Sequence, residues 1–202
     1  MLCLGCDPDL HDLAIASWDD QGPVAGHVVH VPRVKGRVEN EAVLAMMTEL
    51  TKPWPEFGRP QPDACEGARC EMPEWCAVEA QELARGPGAQ HRRPQDIVTL
   101  GQVAGMAVMR VARGYLHGCG LYFPKPSEWK GSVPKHVMQA RLYTELGWGY
   151  TFAAKNAYAL PGPLSRAAFS FTGTAGQWKH LGDALLLARW CWEQAQGRKW
   201  KN

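Results

Sequence analysis

Three short stretches of this chain carry residues that could do chemistry together. Asp7 closes an apolar opening segment, Gly5-Cys6-Asp7-Pro8-Asp9, where it is either a turn or capping residue or a ligand aimed into a site at a sheet edge. Glu79 lies within Cys76-Ala77-Val78-Glu79-Ala80, in mid-strand by this reading. A carboxylate buried there without a partner is costly, so Glu79 is either an outward-facing residue of an edge strand or part of a polar site. His180-Leu181-Gly182-Asp183 places an imidazole and a carboxylate at i, i+3, on one face of a helix, as first-turn caps or as ligands of a common ion. Three carboxylates and one imidazole suit Mg²⁺ or Mn²⁺ better than zinc, because hard oxygen donors dominate and thiolates are absent. Two such ions a few ångströms apart can activate water and stabilise the leaving oxygen of a phosphodiester.

The elements that must position these residues follow from periodicity and punctuation. Strands are expected over 1–6, 13–18 and 24–31, a β-meander joined by turns rich in Asp, Pro and Gly. Residues 39–50 show apolar spacing of a helix, stopped by Lys52-Pro53-Trp54-Pro55. Residues 52–73, with five prolines and two glycines, read as a surface loop that leads to a strand over 75–81. A long helix over 94–116 is interrupted by Gly101 and Gly105, which either serve a helix–helix interface or let the helix approach its own sheet. A strand over 121–124, a helix over 133–146, an unassigned aromatic- and Gly/Pro-rich insertion over 147–176 and a helix over 175–196 complete the chain. This order implies one α/β domain over 1–202, a five-stranded mixed sheet flanked by helices and ended by a basic tail at 198–202.

The 202 residues carry a formal charge of only +2. The halves differ, however: residues 1–99 hold 9 Lys and Arg against 16 Asp and Glu, and residues 100–202 hold 13 against 4. An acidic half beside a basic half is either a solvated dipole or a carboxylate site next to a phosphate-binding surface. No apolar run reaches membrane-spanning length and no secretory pattern opens the chain, so a soluble, cytoplasmic protein without membrane contact is expected, its seven cysteines reduced. Cys3 and Cys6 fall on opposite faces of a strand and cannot easily share an ion; Cys65, Cys70, Cys76 and His91 are too loosely spaced to read as a zinc site. His11, His27, His30, His117 and His136 read as surface or packing residues.

In order and separation, these motifs resemble the RuvC-type Holliday-junction resolvases of the ribonuclease-H-like superfamily. Gly5-Cys6-Asp7-Pro8 is similar to the family's first strand and Ala77-Val78-Glu79 to its fourth. Leu100-Gly101-Gln102-Val103-Ala104-Gly105 is similar to its Leu-Gly-x-x-x-Gly helix, and His180-x-x-Asp183-Ala-Leu to its final catalytic helix. The resemblance covers almost the whole chain and implies a ribonuclease-H-like fold, with three antiparallel strands followed by two parallel additions.

The same resemblance implies that Asp7, Glu79, His180 and Asp183 hold two Mg²⁺ or Mn²⁺ ions for hydrolysis of branched DNA, chiefly four-way junctions, in a bacterial or phage-infected cell. Lys130 and Lys135 match phosphate-contacting lysines, Lys135 also counting as catalytic, with Arg141 and Lys155 as further backbone contacts in the basic half. Leu100, Gly101, Ala104 and Gly105 match a homodimer interface that sets two active sites on opposite strands. Alternatives from the same residues are a related nuclease acting on RNA or flapped DNA, and a junction-binding protein without catalysis. An actin-like kinase would need a second domain of this kind. Three features depart from the family pattern: Asp9 where a small residue is usual, Gln81-Glu82-Leu83 where bacterial members carry a junction-wedging aromatic, and the 147–176 insertion. The insertion's Trp148, Tyr150, Phe152, Tyr158 and Lys155 would either build a small core or stack on unpaired bases.

Overall fold

The computed structural model describes residues 1–9, 11–32, 39–51, 73–80, 94–114, 119–153, 156–160 and 175–200. Residues 52–72 of the Pro-rich segment, Gln81 to Leu83, Cys65, Cys70, His91, His117, Lys155, all of 161–174 and the last two residues of the tail lie outside these. Strands β1 (Cys3–Asp7), β2 (Asp12–Asp19) and β3 (Gly22–His30) form the meander, β1 pairing β2 and β2 pairing β3 antiparallel. The β2–β3 turn closes through the Gln21 N–H to Asp19 Oδ1 at 2.7 Å, and Gly22 takes a φ of 109° that a side chain would resist. Helix α1 (Glu39–Thr51) follows; β4 (Trp75–Val78) and β5 (Gly120–Tyr122) then add parallel to β1 and β4. The strand order is β3-β2-β1-β4-β5. Between β4 and β5 runs α2 (Pro94–Gly114); after β5 come α3 (Pro126–Trp129), α4 (Lys135–Glu145), a hairpin of β6 (Gly149–Ala153) and β7 (Asn156–Leu160), and α5 (Ala175–Ala195).

Alternation along the strands splits the interior into two cores. Leu4, Cys6, Leu13, Ile15, Cys76 and Val78 point to one face, covered by Met46 and Leu50 of α1 and by Val103 and Ala107 of α2. Cys3, Ala14, Ala16, Trp18 and Ala77 point to the other, covered by α5 through Leu181, Ala184, Leu185, Leu187 and Ala188. Small strand residues on the second face let α5 lie close. A Cβ at Gly5 would run into the backbone of Ala184 and Ala188, so the helix rests directly on the middle of β1. Cys3 and Cys6 fall in opposite cores, and the described cysteines are free thiols.

Several boundaries differ from the sequence expectation. The strand expected over 75–81 stops at Val78, so Glu79 follows the strand and is not inside it. The helix expected over 133–146 starts at Lys135, behind Pro134 at its N-cap, and the four-residue α3 before it was not anticipated. Part of the unassigned insertion is the β6–β7 hairpin, with β7 against α4 and α5. Trp148 and Tyr150 pack on Tyr143 of α4, with ring centroids 6.1 and 6.3 Å away, and so belong to the α5-side core. Gly101 and Gly105 do not let α2 approach the sheet: both are exposed, and Val103 and Ala107 make that contact. No described helix is long and apolar enough to cross a membrane.

Candidate active site

The alternation that builds the α5-side core also aims the site. Residues 3, 5 and 7 of β1 face α5, as do the even residues of β2 and Ala77 of β4, so Asp7, Asp12 and Glu79 emerge on that face where the strands end. Because α5 runs antiparallel to β1 with Ala184 over Gly5, the preceding turn carries His180 and Asp183 over the carboxyl end of β1. His180 Nδ1 lies 3.2 Å from Asp7 Oδ2. With the carboxylate as acceptor, Nδ1 carries a proton, and Nε2 lies 3.9 Å from Asp12 Oδ2.

Helix α4 and the α3 turn supply countercharges. Lys135 pairs with Asp183, and Gln139, one turn further along α4, donates from Nε2 to Asp183 Oδ1 at 3.0 Å. Gly182 makes room for this, since a Cβ there would meet Gln139 and the Tyr143 hydroxyl. Lys130 follows α3 with its ammonium 4.5 Å from the Trp129 ring centroid and 3.3 Å from Glu79 Oε2.

All three carboxylates are largely buried, with side-chain exposures of 11% for Asp7, 12% for Glu79 and 3% for Asp183. Burial, then the charge of Asp7, pushes Glu79 up to about 7 against the pull of Lys130. Burial also raises Asp183, with Lys135 opposing. At Asp7 burial acts upward too, but the His180 hydrogen bond together with Lys135 and Lys130 holds it below the ordinary carboxylate range. Lys135 is held above the usual lysine range by Asp183 and Asp7 despite its own burial. Three mutually repelling carboxylates thus share two ammonium groups, and two of the three, Glu79 and Asp183, are pushed toward the protonated form.

The hard oxygen and imidazole donors fit a divalent cation. As the side chains stand, no group of three His, Cys, Asp or Glu among the described residues is arranged to hold an ion. Lys130 and Lys135 lie instead on two of the carboxylates.

No family model matches the chain, and no curated protein does. Solved structures do. Over 98% of this chain and 97% of theirs, it superposes on Thermus thermophilus RuvC in complex with a Holliday junction substrate, with a TM-score of 0.53 and 16% identity. A second Thermus thermophilus RuvC structure matches over the same shares at a TM-score of 0.52 and 18% identity. The chain has a RuvC-like fold. Within it Asp7, Glu79, His180, Asp183, Lys130 and Lys135 come together as one cluster. Arg141 is exposed on another face of α4 and stays apart from these ion pairs. Leu100, Gly101, Ala104 and Gly105 lie along α2, on the opposite side of the sheet from this cluster.

Sequence reasoning missed three neighbours of the cluster. Asp12 stands between two histidines, with Oδ1 2.7 Å from His30 Nδ1 at the surface and Oδ2 toward the buried His180. Its signal was available: Asp12 shares the α5-facing parity of Ala14 and Ala16. Gln139 is four residues after Lys135, the helical spacing that puts both on one face. Tyr143, another turn along, is buried beside Gly182, its hydroxyl without a hydrogen-bond partner among the described residues. Asp9, in contrast, is a turn residue, its Oδ1 accepting from the His11 N–H at 3.1 Å.

Proposed function

We propose that this protein is a divalent-metal-dependent endonuclease that cuts branched DNA, above all four-way junctions, as a homodimer. The observation that carries the reading is the meeting of Asp7, Glu79, Asp183 and His180 at the carboxyl ends of β1 and β4, under α5, with Lys130 and Lys135 beside them. The likeness to RuvC bound to a Holliday junction supports the choice of substrate.

Asp7, Glu79, His180 and Asp183 would hold Mg²⁺ or Mn²⁺, two ions in each site. The bound cations supply charge that activates water for attack on a phosphodiester and stabilises the oxygen that leaves. The remaining work belongs to the chain. Asp7 fixes the His180 ring through Nδ1, so that Nε2 is the nitrogen that would face an ion. Gln139 holds the Asp183 carboxylate from one side and fixes its orientation. Lys130 and Lys135 balance the carboxylates in the free protein and turn to phosphate oxygens once cations take over that role. Opposed nicks require two sites, and the homodimer would form through α2 around Leu100, Gly101, Ala104 and Gly105. Val98 and Met109 on α2 are 55% and 58% exposed, and Leu44 and Met47 on α1 are exposed as well, so this side carries apolar surface to bury.

One observation favours a second reading, a junction-binding protein that does not cut: the lysines sit on the carboxylates, and among the described residues no three candidate ligands are arranged to hold an ion. The test is a labelled four-way junction beside a linear duplex and an RNA hairpin, each with Mg²⁺. Paired nicks confined to the junction support the nuclease reading. Tight binding without nicks supports the second, and cutting of the RNA alone overturns the choice of substrate.

A further inference from the structure

The basic tail, which the proposed active site leaves unused, shapes a second surface. Helix α5 ends at Ala195, and Gly197, with a φ of 66°, turns the chain back; the Arg198 N–H reaches Glu193 O at 2.8 Å, closing a Schellman-type cap. The next residues run along edge strand β5, and Trp200 Nε1 donates to Trp129 O at 2.6 Å. An open groove results. Its floor is Tyr122 and Trp190, edge to face at 5.6 Å; Phe123 and Trp200 flank it, and Arg198 and Lys199 stand exposed at its rim. Phe123 is 55% exposed although it directly follows a strand of the sheet. The acid nearby, Glu128, is engaged by the Lys125 N–H at the start of α3.

Aromatic faces beside two cations, with an open end, match the requirements of an unpaired nucleic-acid strand: bases stack and phosphates pair. The groove also adjoins the carboxylate cluster. Trp129, which anchors Trp200, precedes the Lys130 that reaches Glu79, and Pro124, next to Phe123, accepts the Ala80 N–H at 2.9 Å. A rigid duplex would meet the groove edge-on, with its bases already stacked on one another.

We propose that this groove binds single-stranded DNA, with Phe123 and Trp200 stacking on bases and Arg198 and Lys199 holding the backbone beside the cleavage site. The proposal rests on the nuclease reading only for the source of the strand, the unpaired arm or opened centre of a branched substrate.

The test is binding of a fluorescent short oligothymidine to the full chain in EDTA, by anisotropy, with unlabelled oligothymidine, duplex DNA and oligouridine as competitors. The proposal expects Phe123→Ala to weaken binding about tenfold or more. It expects Arg198→Ala with Lys199→Ala to flatten the salt dependence by about 0.7 in slope for each lost contact. Binding unchanged in both variants overturns it, as does duplex DNA or oligouridine competing better than oligothymidine. Cutting of a four-way junction with Mg²⁺ is read in parallel. If wild type cuts but oligothymidine binding ignores Phe123, the groove assignment fails and the nuclease reading stands. If Phe123 governs binding and no DNA is cut, the nuclease reading fails and the groove stands.

Discussion

Asp7 and His180 are 173 residues apart in the chain, and their side chains meet at 3.2 Å, buried between β1 and α5. The bond joins the first strand to the last helix. Replacing His180 by Ala leaves Asp7 a buried acceptor short of one donor, at a cost of about 1–3 kcal/mol. Thermal melts should show that loss, and nicking of a junction should fall by more than the roughly 10²-fold typical of a lost general acid or base. Unchanged nicking would remove His180 from the catalytic set.

Two glycines are expected to separate stability from activity. Gly5→Ala drives a methyl into the α5 backbone, which cannot step aside, and should cost at least the roughly 1–3 kcal/mol of an overpacked core. Gly182→Ala meets only side-chain ends, of Tyr143 and Gln139, which can yield; Gln139 then loses its hold on Asp183. Melting temperatures should therefore drop more for Gly5→Ala, while Gly182→Ala, still folded, loses more activity per folded molecule. The reverse order would mean that α5 does not rest on β1 as described.

A pH dependence follows from Glu79. Its carboxyl, raised to about 7 by burial and then by Asp7, binds a proton more readily in the folded than in the unfolded protein. Rising pH between the ordinary glutamate value and about 7 therefore disfavours folding, and Asp183 acts in the same direction. In EDTA, wild type should lose stability relative to Glu79→Gln over that window, by on the order of 3 kcal/mol at most. Denaturant melts across the range check this. Parallel curves for the two proteins would show that Glu79 is not charged against its neighbours.

Cations should act on the same balance. Mg²⁺ or Mn²⁺ at about 100 times its dissociation constant should stabilise wild type by about 2.7 kcal/mol at neutral pH and constant ionic strength. Asp7→Asn should respond much less. An equal response in both proteins would place the ion elsewhere.

The sequence exposed the cluster because strand parity and helix spacing are local properties: Asp7 after an apolar strand, and His180 with Asp183 at i, i+3. The five strands were legible in chain order for the same reason, whereas the parallel addition of the last two was implied by the family resemblance. What stayed hidden depends on contacts distant in sequence. That Lys135 and Lys130 settle on Asp183 and Glu79 depends on how α3 and α4 dock, and no periodicity encodes docking. Glu79 reads as mid-strand because β propensity continues past Val78, the end of β4, and the Glu79 and Ala80 N–H groups still bond to Cys6 O and Pro124 O. The β6–β7 hairpin escaped notice because its strands are short and its aromatics are shared with α4. Trp200 reads as part of a polar tail until the turn at Gly197 brings it to Trp129.

The central claim, that this carboxylate cluster is a metal-dependent catalytic site for branched DNA, is tested most directly by nicking of a labelled four-way junction. Wild type and Asp7→Asn would be compared, each with Mg²⁺ and with EDTA, alongside junction binding by both proteins. The prediction is paired nicks on opposing strands by wild type with Mg²⁺ alone, with binding retained by Asp7→Asn. Nicking that survives EDTA, or that Asp7→Asn carries out as fast as wild type, would contradict it.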